Sequence, residues 1–135
     1  MTFTPPGEVL TWQLPEVDPE KMKVLALLLA DPNPIHFDPE AAAGIGAARV
    51  VNQGPSTMAT VYNLFEQTHP DHRVARVSFR LLGNVLAGDA VTVSAVPSDQ
   101  AEPDATTFDV TVRTGEGTTV ITARAELVRR SEVAS

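Results

Sequence analysis

Cysteine is absent from the 135-residue chain. That excludes disulfides and thiolate metal sites, and it is compatible with a reducing compartment. Cations are scarce: ten Lys and Arg against seventeen Asp and Glu leave a formal net charge of −7. Phosphate binding needs clustered Lys and Arg, so an unassisted nucleic-acid surface is not expected. Long apolar runs are missing too. The longest, Val24 to Ala30, is far too short to span a bilayer. Met1 to Glu8 show no basic region followed by an apolar core, so no secretory signal is read, and a cytoplasmic domain away from membranes is expected. There is no phosphate-binding glycine loop, no G-x-S-x-G and no serine–histidine arrangement. Repeats, linkers and low-complexity stretches are lacking as well, so residues 1–135 read as one domain, with 1–7 and 130–135 as loose ends.

What is present divides into early helices and late strands. Glu8 to Leu14 suits a short strand. Asp18-Pro19 is a carboxylate cap followed by proline at the first helical position, and Met22, Leu25, Leu28 and Leu29 then fall on one face of a helix over 19–30. Asp38-Pro39 repeats the start for one or two turns stopping at Gly44. From Gly54, Met58, Val61, Tyr62 and Phe65 make an apolar stripe, with Ser56, Thr57, Thr60 and Asn63 on a small, polar opposite face. Beyond Arg73 the period becomes two. Four strands are expected around Val77–Leu81, Val91–Ala95, Phe108–Val112 and Val120–Leu127, with turns at Leu86–Asp89 and Gly115–Gly117 and a polar loop over 97–105. Trp12, Phe65 and Phe79 are assigned to the core. Helices before antiparallel strands give an α+β fold with helices on one side of the sheet.

The stretch Asp31-Pro32-Asn33-Pro34-Ile35-His36 carries the first chemistry. Each proline fixes its own φ and pushes the preceding residue toward extended backbone, so the segment is a stiff turn holding an acid and an imidazole. Asp-Pro and Asn-Pro are equally ordinary turn and cap chemistry, and both readings stand at this level. Gly54 offers bare backbone and unsatisfied N–H groups at a helix start, where a carbonyl oxygen gaining charge can be held; a plain helix-start glycine is the alternative. His69 and His72 flank Pro70-Asp71 as loop residues, and the three histidines match no common metal-site spacing.

Together, the run from Asp31 to Pro39, the Ala-rich stretch after it and Gly54 opening an amphipathic helix closely resemble the MaoC-like (R)-specific enoyl-CoA hydratases. Their motif reads D-x-N-P-[I/L/V]-H-x-D, followed downstream by H-G at a helix start. The first part is matched in full; Gln53 stands where the family usually has His, Ala30 where Gly or another small or polar residue is usual, and Pro55 where Met is frequent. The resemblance implies a hot-dog fold, a long central helix wrapped by an antiparallel sheet. It implies reversible addition of water across the 2,3 double bond of an enoyl thioester, carried by coenzyme A or acyl carrier protein, giving an (R)-3-hydroxyacyl product. In that scheme Asp31 is the base, His36 positions the water and passes a proton to the α-carbon, and the Gly54 N–H holds the enolate oxygen.

By the same resemblance, Asn33 braces the turn, Gln53 hydrogen-bonds without titrating, and Arg49 and Arg73 are partners for the substrate's phosphates. No metal or redox cofactor is needed, and a homodimer or a heteromer with a related hot-dog subunit is implied. Two alternatives stay open. An acyl-CoA thioesterase of this fold would carry its carboxylate on or beside the long helix, where Glu66 is the only acid. A supporting, non-catalytic subunit is kept open by Gln53.

Overall fold

Each early helix starts where an Asp or Asn precedes proline. In the computed structural model, which describes residues 9–31, 33–98, 105–115 and 117–131, Asp18 accepts a hydrogen bond from the Glu20 N–H and opens α1 (Pro19–Leu28). Asn33 does the same for Ile35 at a 3-10 turn, Pro34–His36. Asp38 does so for Glu40 at α2 (Pro39–Gly44). In every case the side-chain oxygen satisfies an N–H that has no partner within the helix, and proline occupies the position whose N–H would be idle.

α1 ends earlier than its Pro32 stop signal suggested. Leu29 is the C-cap and Ala30 adopts φ 50°. The Ala30 N–H bonds Leu27 O and the Asp31 N–H bonds Ala26 O, the paired closure of a Schellman motif, with alanine at the left-handed position that glycine normally takes. The expected apolar face is also corrected. Met22 is buried, but Leu28 and Leu29 are exposed, as are Val24 and Leu27. One side of α1 therefore contacts the core and an apolar side is left uncovered.

The central helix α3 (Gly54–Thr68) buries Thr57, Thr60, Val61, Leu64 and Phe65, while Tyr62 is exposed. The sequence pattern places Thr57 and Thr60 on the polar face. They are tolerated inside because their hydroxyls are satisfied locally: Thr57 Oγ1 accepts from Asn52 Nδ2 at 2.8 Å, and Thr60 Oγ1 donates to Thr57 O at 2.6 Å.

The sheet has the order β1-β3-β4-β5-β2 and is antiparallel throughout, built from β1 (Leu10–Leu14), β2 (His72–Leu81), β3 (Val91–Pro97), β4 (Ala105–Thr114) and β5 (Thr118–Arg129). Alternate residues such as Val91, Val93, Ala95, Val110 and Val112 are buried and form one core with Val61, Leu64 and Phe65 of α3. Trp12 and Phe79 pack against that core only partly buried. This is the hot-dog arrangement: α+β, one sheet around one helix. The expected loose lead-in at 1–7, most of the polar loop and the last residues of the tail lie outside the described residues. Among the described residues no helix is long and apolar enough to cross a membrane.

Candidate active site

The Schellman closure delivers Asp31 directly from the end of α1, and the capped 3-10 turn delivers His36. Asp31 Oδ1 accepts the Asn33 N–H at 3.2 Å, and Asn33 Oδ1 accepts the Ile35 N–H at 3.2 Å. The turn is thus held by two successive side-chain caps. The Val51 N–H donates to Ile35 O at 2.8 Å, which stitches the turn to the strand-like segment ahead of α3.

Both ring nitrogens of His36 have a partner close by. Nδ1 lies 2.7 Å from Val51 O, and Nε2 lies 3.1 Å from Asp31 Oδ2. A carbonyl only accepts, so Nδ1 carries a hydrogen. Nε2 is then the nitrogen that faces the Asp31 carboxyl, at ion-pair distance. The His36 side chain is 8% exposed and that of Asp31 36%: the ring is fixed inside and the carboxyl reaches the surface.

Asp31 opens onto a groove of about 630 Å³ lined by Lys23, Ala26, Leu27, Ala30, Asp31 and Phe37. Its walls are largely apolar, made by the side of α1 that the core leaves uncovered and by Phe37. A smaller cavity of about 120 Å³ lies between α1 and the start of α3, beside Met22, Asn52 and Thr57.

Gly54 is the first residue of α3 and follows Val51, the residue that anchors His36, by three positions. A side-chain carbon placed at Gly54 would meet nothing within 4 Å, so open space adjoins it. Gln53 is fully buried and its Nε2 donates to Met22 O at 2.8 Å, while Oε1 has no partner among the described residues. It ties α3 to α1 from the inside rather than facing the groove. Arg49 is paired with Asp89 at 2.8 Å. Arg73 sits on β2, beside a small cavity shared with Phe65 and Glu66 near the far end of α3, about 16 Å along the helix from Gly54. Asp31, Asn33, His36 and Val51 are brought together, with Gly54 three residues further along the chain; Arg73 is not among them. The Val51 carbonyl and the groove wall were missed by sequence reasoning. The wall had a signal, since Val24 to Ala30 carries more apolar residues than one buried face can use.

The other two histidines form a separate cluster. His72 Nδ1 lies 2.8 Å from Asp71 Oδ1, and the His69 ring meets Phe65, Phe108 and His72 edge-on. Burial, together with the nearby His72, holds His69 below the ordinary imidazole value, and the His72 hydrogen bond holds Asp71 below the ordinary carboxylate value. Among the described residues no group of three or more His, Asp or Glu is placed to hold a metal ion.

Comparison with known proteins agrees with the fold. The family model for the MaoC like domain matches residues 3–120. A UPF0336 protein of Streptomyces avermitilis is 32% identical over 128 residues, covering 86% of this chain and 85% of its own. The structure of an (R)-hydratase from A. caviae involved in PHA biosynthesis superposes with a TM-score of 0.83 at 22% identity, covering 94% of this chain and 98% of that one. The ChsH1-ChsH2 complex from Mycobacterium tuberculosis gives 0.79 at 25% identity, covering 95% and 100%.

Proposed function

The chain belongs to the MaoC-like domain family, and on that premise we propose that it is a hydro-lyase adding water reversibly across the double bond of a trans-2-enoyl thioester to give the (R)-3-hydroxyacyl product. The observation that carries this reading is the His36 ring, fixed at Nδ1 by the Val51 carbonyl and facing Asp31 at Nε2, with Asp31 at the mouth of an apolar groove. The groove suits an acyl chain, and the pair suits water.

The chemistry follows from one movable proton. Water is a poor nucleophile and needs a base as its oxygen attacks the β-carbon. Asp31, the more exposed member, takes the water's proton as the C–O bond forms. The electron pair of the double bond moves toward the thioester, whose oxygen becomes an enolate. The Gly54 N–H and the start of α3 stabilise that charge, a contribution of about 10²–10³ in turnover where such a donor has been removed elsewhere. His36 Nε2 gives its proton to the α-carbon. The proton on Asp31 then returns to Nε2 across 3.1 Å, and the pair is reset. Asn33 holds the turn, and Gln53 holds the start of α3 against α1. Arg49 is a candidate for the substrate's phosphates if its pairing with Asp89 opens.

A hot-dog partner subunit is part of the reading, because among the described residues no strand lies beyond β1 or β2 at the edges of the sheet. Crotonyl-CoA tests the activity. Loss of absorbance of the conjugated double bond without thiol release supports hydration. Thiol release without hydration overturns it in favour of a thioesterase, and neither outcome from the chain or its native complex points to a supporting subunit.

A further inference from the structure

The turn from Leu86 to Asp89 is bonded to both chain segments that place the Asp31–His36 pair. The Asp89 N–H closes it on Leu86 O at 3.0 Å, with Gly88 at φ 84°. On one side the Val17 N–H donates to Asp89 O at 2.9 Å, and the Gly88 N–H donates to Val17 O at 2.8 Å. Val17 directly precedes Asp18, the cap of α1, and α1 is a stiff rod of about 15 Å whose end delivers Asp31. On the other side the Ala87 N–H donates to Val50 O at 2.9 Å, and the Asn52 N–H donates to Val85 O at 2.7 Å. These two bonds flank Val51, whose carbonyl fixes His36. The Asp89 side chain in turn holds the turn. Its Oδ2 accepts the Leu86 N–H at 2.9 Å, and its Oδ1 accepts Arg49 Nη2 at 2.8 Å. The side chain is only 17% exposed, so water competes little for these charge-assisted bonds. Arg49 lies over the turn: a side-chain carbon at Gly88 would meet its Nη1 at 3.2 Å.

We propose that Asp89 is a positioning residue for the Asp31–His36 pair, acting through the backbone rather than by touching substrate. This rests on the reading that the pair hydrates an enoyl thioester. The shape of the turn fixes where Val17 sits relative to Val50–Asn52, and so where the α1 rod sits relative to the carbonyl that holds His36. Asp89 suits the task because both groups it meets are donors, and a carboxylate is an acceptor at both oxygens. Asparagine has the same shape but one acceptor. Its NH2 group must then face either the Arg49 guanidinium or the Leu86 N–H, and that contact opens. A misplacement of about 1 Å at the reacting groups is enough to lower turnover about 10²-fold.

Asp89→Asn is compared with wild type by two readouts, with circular dichroism to confirm that the variant is folded. On crotonyl-CoA, kcat is expected to fall by about 10–10² while KM stays within about twofold. In proton–nitrogen NMR spectra, the His36 Nδ1–H is identified by its loss in His36→Ala. Its exchange with solvent is expected to speed up about tenfold more in Asp89→Asn than that of the Val112 amide in the core of the sheet. Unchanged kcat, or a rise in KM alone, overturns the proposal. So does equal acceleration at His36 and Val112, which would mean that Asp89 only supports the fold. Wild type that does not hydrate crotonyl-CoA overturns the hydratase reading instead, and the exchange comparison then decides whether Asp89 holds the pair. If Asp89→Asn does not fold, Arg49→Gln takes its place with the same expectations. Its substrate is crotonyl pantetheine, which carries no phosphate, so that a loss there reports the turn and not the head group.

Discussion

Among the described residues the fold holds two histidine–aspartate pairs. His72 and Asp71 are closer, at 2.8 Å, than His36 and Asp31, at 3.1 Å. Yet His72 and Asp71 are neighbours in sequence, and their contact follows from adjacency. Asp71 is also shared with Arg129 at 3.5 Å, and the cavity beside His72 holds only about 120 Å³. His36 is brought to Asp31 by a helix end and a capped turn, its second nitrogen is fixed by a backbone carbonyl from another segment, and the groove beside Asp31 is about 630 Å³. What distinguishes a candidate site is therefore not the distance between acid and imidazole. It is the fixing of the ring by a second partner, combined with room for a substrate on the open side.

Substitution separates the two pairs most sharply. His36→Ala is expected to lower hydration turnover by about 10²–10⁴, with the melting temperature shifted far less than that loss implies, whereas His72→Ala leaves turnover unchanged. Steady-state rates on an enoyl-CoA with thermal melts of both variants check this. Gly54→Ala comes next. Beyond its chain neighbours and its own helix backbone, the added methyl meets no described atom within 4 Å, so the fold tolerates it, but it enters the space assigned to the thioester. A loss of about ten- to a hundredfold in kcat/KM with an unchanged melt is expected.

The Ala30→Gly effect is smaller and concerns the frame of the first pair. Ala30 holds φ 50°, a left-handed conformation that costs a residue with a side chain about 1–2 kcal/mol. Glycine there is expected to stabilise the protein by roughly 1 kcal/mol, read by denaturant unfolding, without moving Asp31. The smallest effect belongs to the second cluster. His69 is held below its ordinary value of 6.5 in the folded state, so as pH falls through and below that value the unfolded chain binds a proton that the folded chain does not. Stability is therefore present at higher pH and is lost on acidification, between 6.5 and the lowered folded value. Asp71, held below its ordinary 3.8, adds a further loss only in more acid solution. His69→Gln is expected to flatten the melting temperature's dependence between about pH 7 and 5, while leaving the pH profile of hydration unchanged.

Side-chain caps were legible in the sequence because they mark residue types: Asp18, Asn33 and Asp38 each precede proline, and each caps a helical turn. The late strands were legible from their period of two. Asp31 and His36 stood out because their spacing matches a family motif. The Val51 carbonyl that fixes His36 left no trace, since every residue carries a carbonyl and only the fold selects one. Thr57 and Thr60 misled for a related reason. Their hydroxyls are satisfied within the helix and by Asn52, so they are buried despite being polar. Leu28 and Leu29 misled in the opposite direction, because the periodicity of a helix does not say which of two apolar faces meets the core.

The most direct test of the distinction between the pairs is the rate of enoyl-CoA hydration by wild type, Asp31→Asn and Asp71→Asn, measured side by side on folded protein. Wild type and Asp71→Asn are expected to hydrate at the same rate, and Asp31→Asn to fall by about 10²–10⁴. Undiminished hydration by Asp31→Asn, or its loss in Asp71→Asn alone, would contradict the assignment of the catalytic proton to the pair fixed by Val51.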